Sequence, residues 1–163
     1  MSVTAFFGNL GEREADLLAE LATDVEAVEA ELRRQMASKV PMVEQIGNHT
    51  LDAGGKRLRP AFVSLSAKAT GLEYDPARTR KLGACMEMIH MATLIHDDVI
   101  DHASTRRGRE TAGAVFGATG SILSGDVLLS KAMAILAQDG DLEIIRNVLQ
   151  SVVEMAEGEV REL

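Results

Sequence analysis

Glu87-Met-Ile-His-Met-Ala-Thr-Leu-Ile-His-Asp-Asp-Val-Ile-Asp-His-Ala-Ser-Thr-Arg-Arg-Gly-Arg109 reads as the end of an apolar helix that brings three carboxylates to a cavity, followed by a loop that brings three guanidinium groups. On a helix Asp97 and Asp101 stand four apart and share one face, with Asp98 roughly 100° round from Asp97. Like charges at that spacing repel by about 0.2–0.5 kcal/mol on an exposed helix, and by more where water is scarce. The run from Met88 to His96 is too apolar for a solvated face, so the carboxylates ask for a positive partner. A divalent metal is the simplest. Oxygen ligands with room for retained water suit Mg2+, which binds through one or two carboxylates plus substrate phosphates. Arg106, Arg107 and Arg109 then make sense as partners for the phosphate oxygens that a metal leaves over. The residues alone leave one alternative open, a surface helix end whose acids pair with the following arginines.

A chain of 163 residues, 46% hydrophobic, is long enough for one domain with a real core. With one Tyr, four Phe and no Trp, aliphatic side chains, Ala and eight Met must fill that core, which suits helices. The net charge of −8 argues against a general nucleic-acid binder, since neutralising phosphates needs basic surface. Basic residues nonetheless gather at Lys56, Arg57, Arg59 and at Arg106, Arg107, Arg109, which points to a small anionic ligand. The single Cys85 has no internal disulfide partner and its helical setting predicts a buried, reduced thiol; a cytoplasmic protein is the default expectation. The first residues lack a basic segment followed by a long apolar one, so no signal peptide is expected. The longest uncharged run, Thr111 to Gly125, is Gly-rich and short of the ~20 residues a spanning helix needs, so no membrane span is expected either.

From Glu12 to about Lys39, Leu17, Leu18, Leu21, Val25, Val28 and Leu32 recur at spacings of three and four, the pattern of an amphipathic helix. Pro41 interrupts, and a short helix through Met42, Val43 and Ile46 is predicted to end near His49 or Thr50. Gly54-Gly55 then frees the backbone to approach a ligand, while Lys56, Arg57 and Arg59 bring three cations to one turn before Pro60 starts the next helix. Backbone N–H groups at a helix start together with Lys and Arg make a diphosphate site that needs no metal; a Gly-Gly turn with solvent-facing cations is the alternative. It is not a Walker A loop, since Arg57 stands where Ser or Thr should follow the Lys. The helix from Pro60 is predicted to carry Phe62, Val63 and Leu65 inward and to stop near Gly71. Asp75-Pro76 opens a helix that runs to about His102, on which His90 lies two turns before Asp97 and overlooks whatever the metal holds. Thr111 to Gly117 reads as a short helix, and Ser121 to Gln138 as a central one, apolar nearly all round, from which Asp126 should point to a partner or the cavity. A last helix runs from Leu142 to Leu163, and no alternating strand pattern occurs, so the fold class is all-α.

Gly-Gly-Lys-Arg-Leu-Arg-Pro at 54–60, the Met88–Asp101 run, Arg-Arg-Gly at 106–108 and Ser-Gly-Asp-Val-Leu-Leu-Ser at 124–130 together resemble the trans-isoprenyl diphosphate synthases, also called polyprenyl synthetases. The pieces come in that family's order and spacing. The resemblance implies an isoprenoid-synthase-type helical bundle around a deep cavity, a homo-oligomer, and head-to-tail condensation of isopentenyl diphosphate with an allylic diphosphate. By the same resemblance Asp97 and Asp101 bind Mg2+ that bridges to the allylic diphosphate, Asp98 assists, and Arg106 clamps that diphosphate. Lys56, Arg59, His90 and Arg107 form the isopentenyl diphosphate pocket. Product length in the family is set by side chains ahead of the aspartates. Here Ala92 and Thr93 are small and Ile89 lies a turn further, so a medium-to-long trans-polyprenyl diphosphate is expected.

The family's second aspartate-rich motif is missing from these 163 residues. The expectation is therefore the N-terminal part, residues 1–163, of a single all-helical domain, with little or no activity by itself. Two other enzyme classes compete. His96-Asp97 with His90 and Asp101 mimics an HD-type metal phosphohydrolase but leaves the Gly-Gly-Lys-Arg turn without a role, and a terpene cyclase shares the aspartates but has no need of a second diphosphate pocket. The non-enzymatic alternative is a truncated fragment or partner subunit that self-associates through uncovered apolar faces.

Overall fold

In the computed structural model residues 12–162 are described; the N-terminal segment read above for a signal peptide and the final Leu163 lie outside them. Seven helices follow one another: α1 (Glu12–Met36), α2 (Pro41–Asp52), α3 (Leu58–Ala69), α4 (Pro76–Ile100), α5 (Ala112–Phe116), α6 (Ala118–Asp139) and α7 (Leu142–Glu162). Between α4 and α5 lies a miniature antiparallel hairpin, β1 (Thr105–Arg106) and β2 (Arg109–Glu110). The architecture is all-α as the sequence predicts, with that one pair of two-residue strands in addition.

Local chemistry sets the helix ends. Asp75 caps α4, its Oδ1 accepting from Ala77 N at 2.8 Å with Pro76 in the first turn. Thr111 caps α5 through Ala114 N at 3.2 Å. Gly140 closes α6 at φ +77°, the left-handed backbone that glycine adopts without strain, and Asp141 Oδ1 then accepts from Glu143 N and Ile144 N to start α7. The first helix stops at Met36 rather than Lys39, where Lys131 of α6 donates to Gln35 O at 2.9 Å and to Ala37 O at 2.6 Å.

The core lies along α4 and α6, which pack against each other more extensively than any other pair. Met88, Met91 and Ile95 of α4 meet Leu128, Ala132 and Leu136 of α6, and Leu32, Met36 and Ile46 close the cluster from α1 and α2. Three expectations about facing need correction. Leu17 is 45% exposed, because the buried stripe of α1 begins at Leu21. Phe62 is 62% exposed, because α3 turns Ala61 and Ser64 inward. The sixth helix is not apolar all round in its packing either, since Ile122 and Leu123 face outward. By length and composition α6 could cross a membrane. Its Leu128, Ala132, Ile135 and Leu136 are nevertheless buried in the core and Lys131 is committed to α1, so it serves as a core helix. The last helix has no fully buried residue: Ile144, Ile145, Val148 and Val152 lean on the core, while Leu149, Val153, Met155 and Val160 are exposed.

Candidate active site

The two cationic segments are fastened to each other. Arg107 at φ +53° and Gly108 at φ +76° form a two-residue hairpin loop with both φ values positive, the requirement of the type I′ turn that matches strand twist. The hairpin docks on the end of α2. His49 Nε2 lies 2.8 Å from Glu110 O, Arg109 Nη1 donates to Asp52 O at 2.7 Å, and Arg107 Nη1 donates to Gly54 O. Gly55 leaves room for two guanidinium groups: a Cβ there would stand 2.6 Å from Arg57 Nη1 and 3.0 Å from Arg107 Nη1. Lys56 and Arg59 lie exposed on the same turn.

Arg57, between them in sequence, points elsewhere. It takes the N-cap position of α3 at φ +50° and turns inward, donating from Nε to Glu29 Oε1 at 2.6 Å, from Nη2 to Leu51 O at 2.8 Å, and from Nη1 to Glu87 Oε1 at 3.3 Å. One side chain thus ties α1, α2 and α4 to the start of α3. Its three charge-assisted bonds offset the ~1–2 kcal/mol that a left-handed backbone costs a residue with a Cβ.

The aspartates divide by environment. Asp98 is buried and accepts from Arg106 Nε at 2.7 Å, so it holds the hairpin guanidinium rather than facing open space. Asp97 is half-buried and Asp101 exposed, one turn apart, with Asp101 N donating to Asp97 O at 2.8 Å. Burial lifts the Asp97 carboxyl above the usual carboxylate range; Arg106 opposes the rise, and Asp101 and Asp98 add to it. That repulsion would be relieved by a bound cation. Among the described residues no three His, Cys, Asp or Glu side chains converge as a closed metal cage. Two carboxylates facing solvent fit Mg2+, which keeps waters and takes phosphate oxygens as its other ligands.

A cavity of about 490 Å3 opens beside Asp97, lined by Arg59, His90, Ala92 and Thr93 among the expected site residues and by Leu129, Val152, Met155, Glu159 and Val160 from α6 and α7. Acid and cation therefore share one apolar chamber. Ile89 is absent from its wall and lies in the buried core. Lys56, Asp101, Arg106 and Arg107 do not line it either. The His90 imidazole is pushed down to about 4, by burial first and then by Arg59, Arg107, Arg106 and Arg57, so it is neutral at physiological pH and can donate one hydrogen bond without adding charge. Cys85 takes no part, being buried with its thiol donating to Ala132 O at 3.3 Å and pushed up to about 12 by burial.

One contact explains why Ser-Gly-Asp on α6 accompanies His-Asp-Asp on α4. His96 Nε2 lies 3.1 Å from Ile122 O and 3.3 Å from Asp126 Oδ1, and the Nε2 end of its ring lies against Gly125, where a Cβ would overlap it. This latch fixes the rotation of α4 one residue before Asp97. A glycine inside an apolar helix was its visible signal in the sequence.

A family model described as polyprenyl synthetase matches residues 40–163. Over 148 residues the chain is 38% identical to an all-trans-nonaprenyl-diphosphate synthase (geranyl-diphosphate specific) of Rhodobacter capsulatus, covering 91% of this chain and 45% of that one. It is 39% identical to an octaprenyl diphosphate synthase of Escherichia coli (strain K12), covering 87% of this chain and 43% of that one. A polyprenyl synthase from Caulobacter crescentus CB15, solved in complex with calcium and isoprenyl diphosphate, matches with a TM-score of 0.83 at 33% identity over 88% of this chain and 43% of that one. The chain spans less than half the length of each of these three proteins.

Two measurements check the site as described. Gly125→Ala lowers stability in chemical denaturation although Ala is the better helix former; in a His96→Ala background the same change gains about 1 kcal/mol, because the steric conflict is gone and only propensity remains. The His90 imidazole titrates by NMR near 4, well below the ordinary 6.5. Its folded pKa is lowered, so the stability it contributes is complete above about 6.5 and is lost as the pH falls toward 4; His90→Gln flattens that part of the stability profile.

Proposed function

The chain belongs to the polyprenyl synthetase family, and from that premise we propose that the whole protein condenses isopentenyl diphosphate with an allylic diphosphate to a medium-to-long trans-polyprenyl diphosphate, with Mg2+ as cofactor. The observation that carries the reading is the sharing of one apolar cavity by Asp97, Arg59 and His90, with Arg106 and Arg107 fastened by the hairpin contacts. Such a chamber can hold a greasy chain between two diphosphate ends.

In this reading Asp97 and Asp101 hold the metal, which when bound neutralises charge on the leaving diphosphate. Arg106, aimed by Asp98, meets the charge that builds on the same group as the allylic carbon–oxygen bond breaks. Lys56, Arg59, Arg107 and neutral His90 position the second diphosphate, which needs orientation and not activation. The isopentenyl double bond attacks the allylic carbon and a proton leaves, taken up by the released diphosphate. Apolar walls from α6 and α7 exclude water that would otherwise quench the cation. Ala92 and Thr93 leave room for the growing chain; buried Ile89 acts, if at all, through packing behind them. The nonaprenyl and octaprenyl synthases among the relatives support a long product.

The 163-residue chain is read as the N-terminal part of this domain, cytoplasmic, carrying one wall of the cavity and inactive without the rest. The absence of a fully buried residue on α7 favours a second reading for the isolated chain, a non-catalytic piece or partner subunit that self-associates through that helix. Incubation with Mg2+, isopentenyl diphosphate and an allylic primer separates them: the isolated chain gives little or no product, and turnover by it rejects the inert view. In the whole protein, Ala92→Phe shortens the polyprenyl products resolved by chromatography, and an unchanged distribution removes Ala92 from any role in chain length.

A further inference from the structure

Glu87 is an acid in the apolar body of α4, and its side chain is only 5% exposed. It stands three residues before His90, hence on the same face of the helix. A buried carboxylate one helix turn from His90 is at first sight misplaced beside an anion pocket, since it weakens the positive field the pocket needs. Its surroundings account for it. Its Oε1 accepts from Arg57 Nη1, and the same guanidinium reaches Glu29 and Leu51 O, so the Glu87–Arg57 pair crosses directly beneath the Gly54-Gly55 turn. Burial raises the Glu87 carboxyl, while Arg57, Arg59 and Arg107 all pull it down. The three arginines therefore share this one carboxylate as a counter-charge. Arg107 Nη1 lies against Gly55 on the same side as Arg57 Nη1 and donates to Gly54 O, so the position of Arg57 sets the backbone that Arg107 grips.

We propose that Glu87 is a positioning residue for the cationic pocket: through Arg57 it fixes the Gly54-Gly55 turn, and with it Arg59 and Arg107, for an isopentenyl diphosphate that it does not itself touch. The inference rests on the prenyl-transfer reading and goes beyond it by giving the pocket an internal acidic brace. It separates from plain electrostatics by sign. If Glu87 only diluted the positive field, neutralising it would tighten binding of an anion; as a brace, neutralising it loosens binding.

Calorimetric titration of the whole protein with isopentenyl diphosphate in metal-free buffer, alongside thermal unfolding, decides the matter. Glu87→Gln raises Kd about tenfold, which corresponds to about 1.4 kcal/mol. Arg57→Lys, which keeps the cation and loses the fork, does the same, and the double variant is no weaker than either single one. Tighter binding by Glu87→Gln overturns the proposal, as does an unchanged Kd with a lowered unfolding temperature, which would mark Glu87 as structural support alone. Should Glu87→Gln not fold, Arg57→Lys decides by the same criteria. A whole wild-type protein that folds and does not bind isopentenyl diphosphate removes the prenyl-transfer reading together with the brace. Binding by wild type and equally by the folded variants removes the brace alone.

Discussion

Two guanidinium groups, Arg57 and Arg107, meet against the bare backbone of Gly55, and much of the molecule is arranged to make that meeting tolerable. Cations this close repel, and they stay because each is committed elsewhere. Arg57 is taken up by Glu29, Glu87 and the Leu51 carbonyl, Arg107 by the Gly54 carbonyl. Those commitments join α1, α2, α3, α4 and the hairpin at one point. Positive charge is thereby gathered on the turn that carries Arg59 to the cavity, in a protein whose net charge is −8.

The fourth helix carries the opposite charge to the same cavity. Its middle is a plain core element, with Met88, Met91 and Ile95 packed on α6, and its end is a set of carboxylates with different neighbours. Asp98 is absorbed by Arg106, while Asp97 and Asp101 are left toward the opening. The His96 ring against Gly125 holds that end in register with α6, so the rotation that buries the methionines also presents the acids. Packing and chemistry are set by one helix orientation. A change in the core near Ile95 would therefore act on the aspartates without touching them.

Most of this architecture was legible in the order of residues. Asp75-Pro76 marked the start of α4, Gly140 the end of α6, and the spacing of apolar residues the stripe of α1 from Leu21 onward. What failed had physical reasons. Phe62 was assigned inward because large apolar residues are usually buried, yet the small Ala61 and Ser64 fit where α3 approaches its neighbours. The hairpin was passed over because its turn holds Arg107, not Asn or Asp, at a positive φ, and its strands are too short to alternate. Nothing in Lys-Arg-Leu-Arg tells which cation turns inward. That choice is made by Glu29 and Glu87, acids 28 and 30 residues away, which only the fold brings within reach.

A strand pair with a register of two residues cannot persist in water by its own ladder. Its order is lent by His49, by the Asp52 and Gly54 carbonyls, and by Asp98, and three of those four bonds are made by the arginines of the hairpin itself. In the proposed reading two of the same side chains, Arg106 and Arg107, would also meet a diphosphate, so ligand binding and the order of this segment would be linked equilibria.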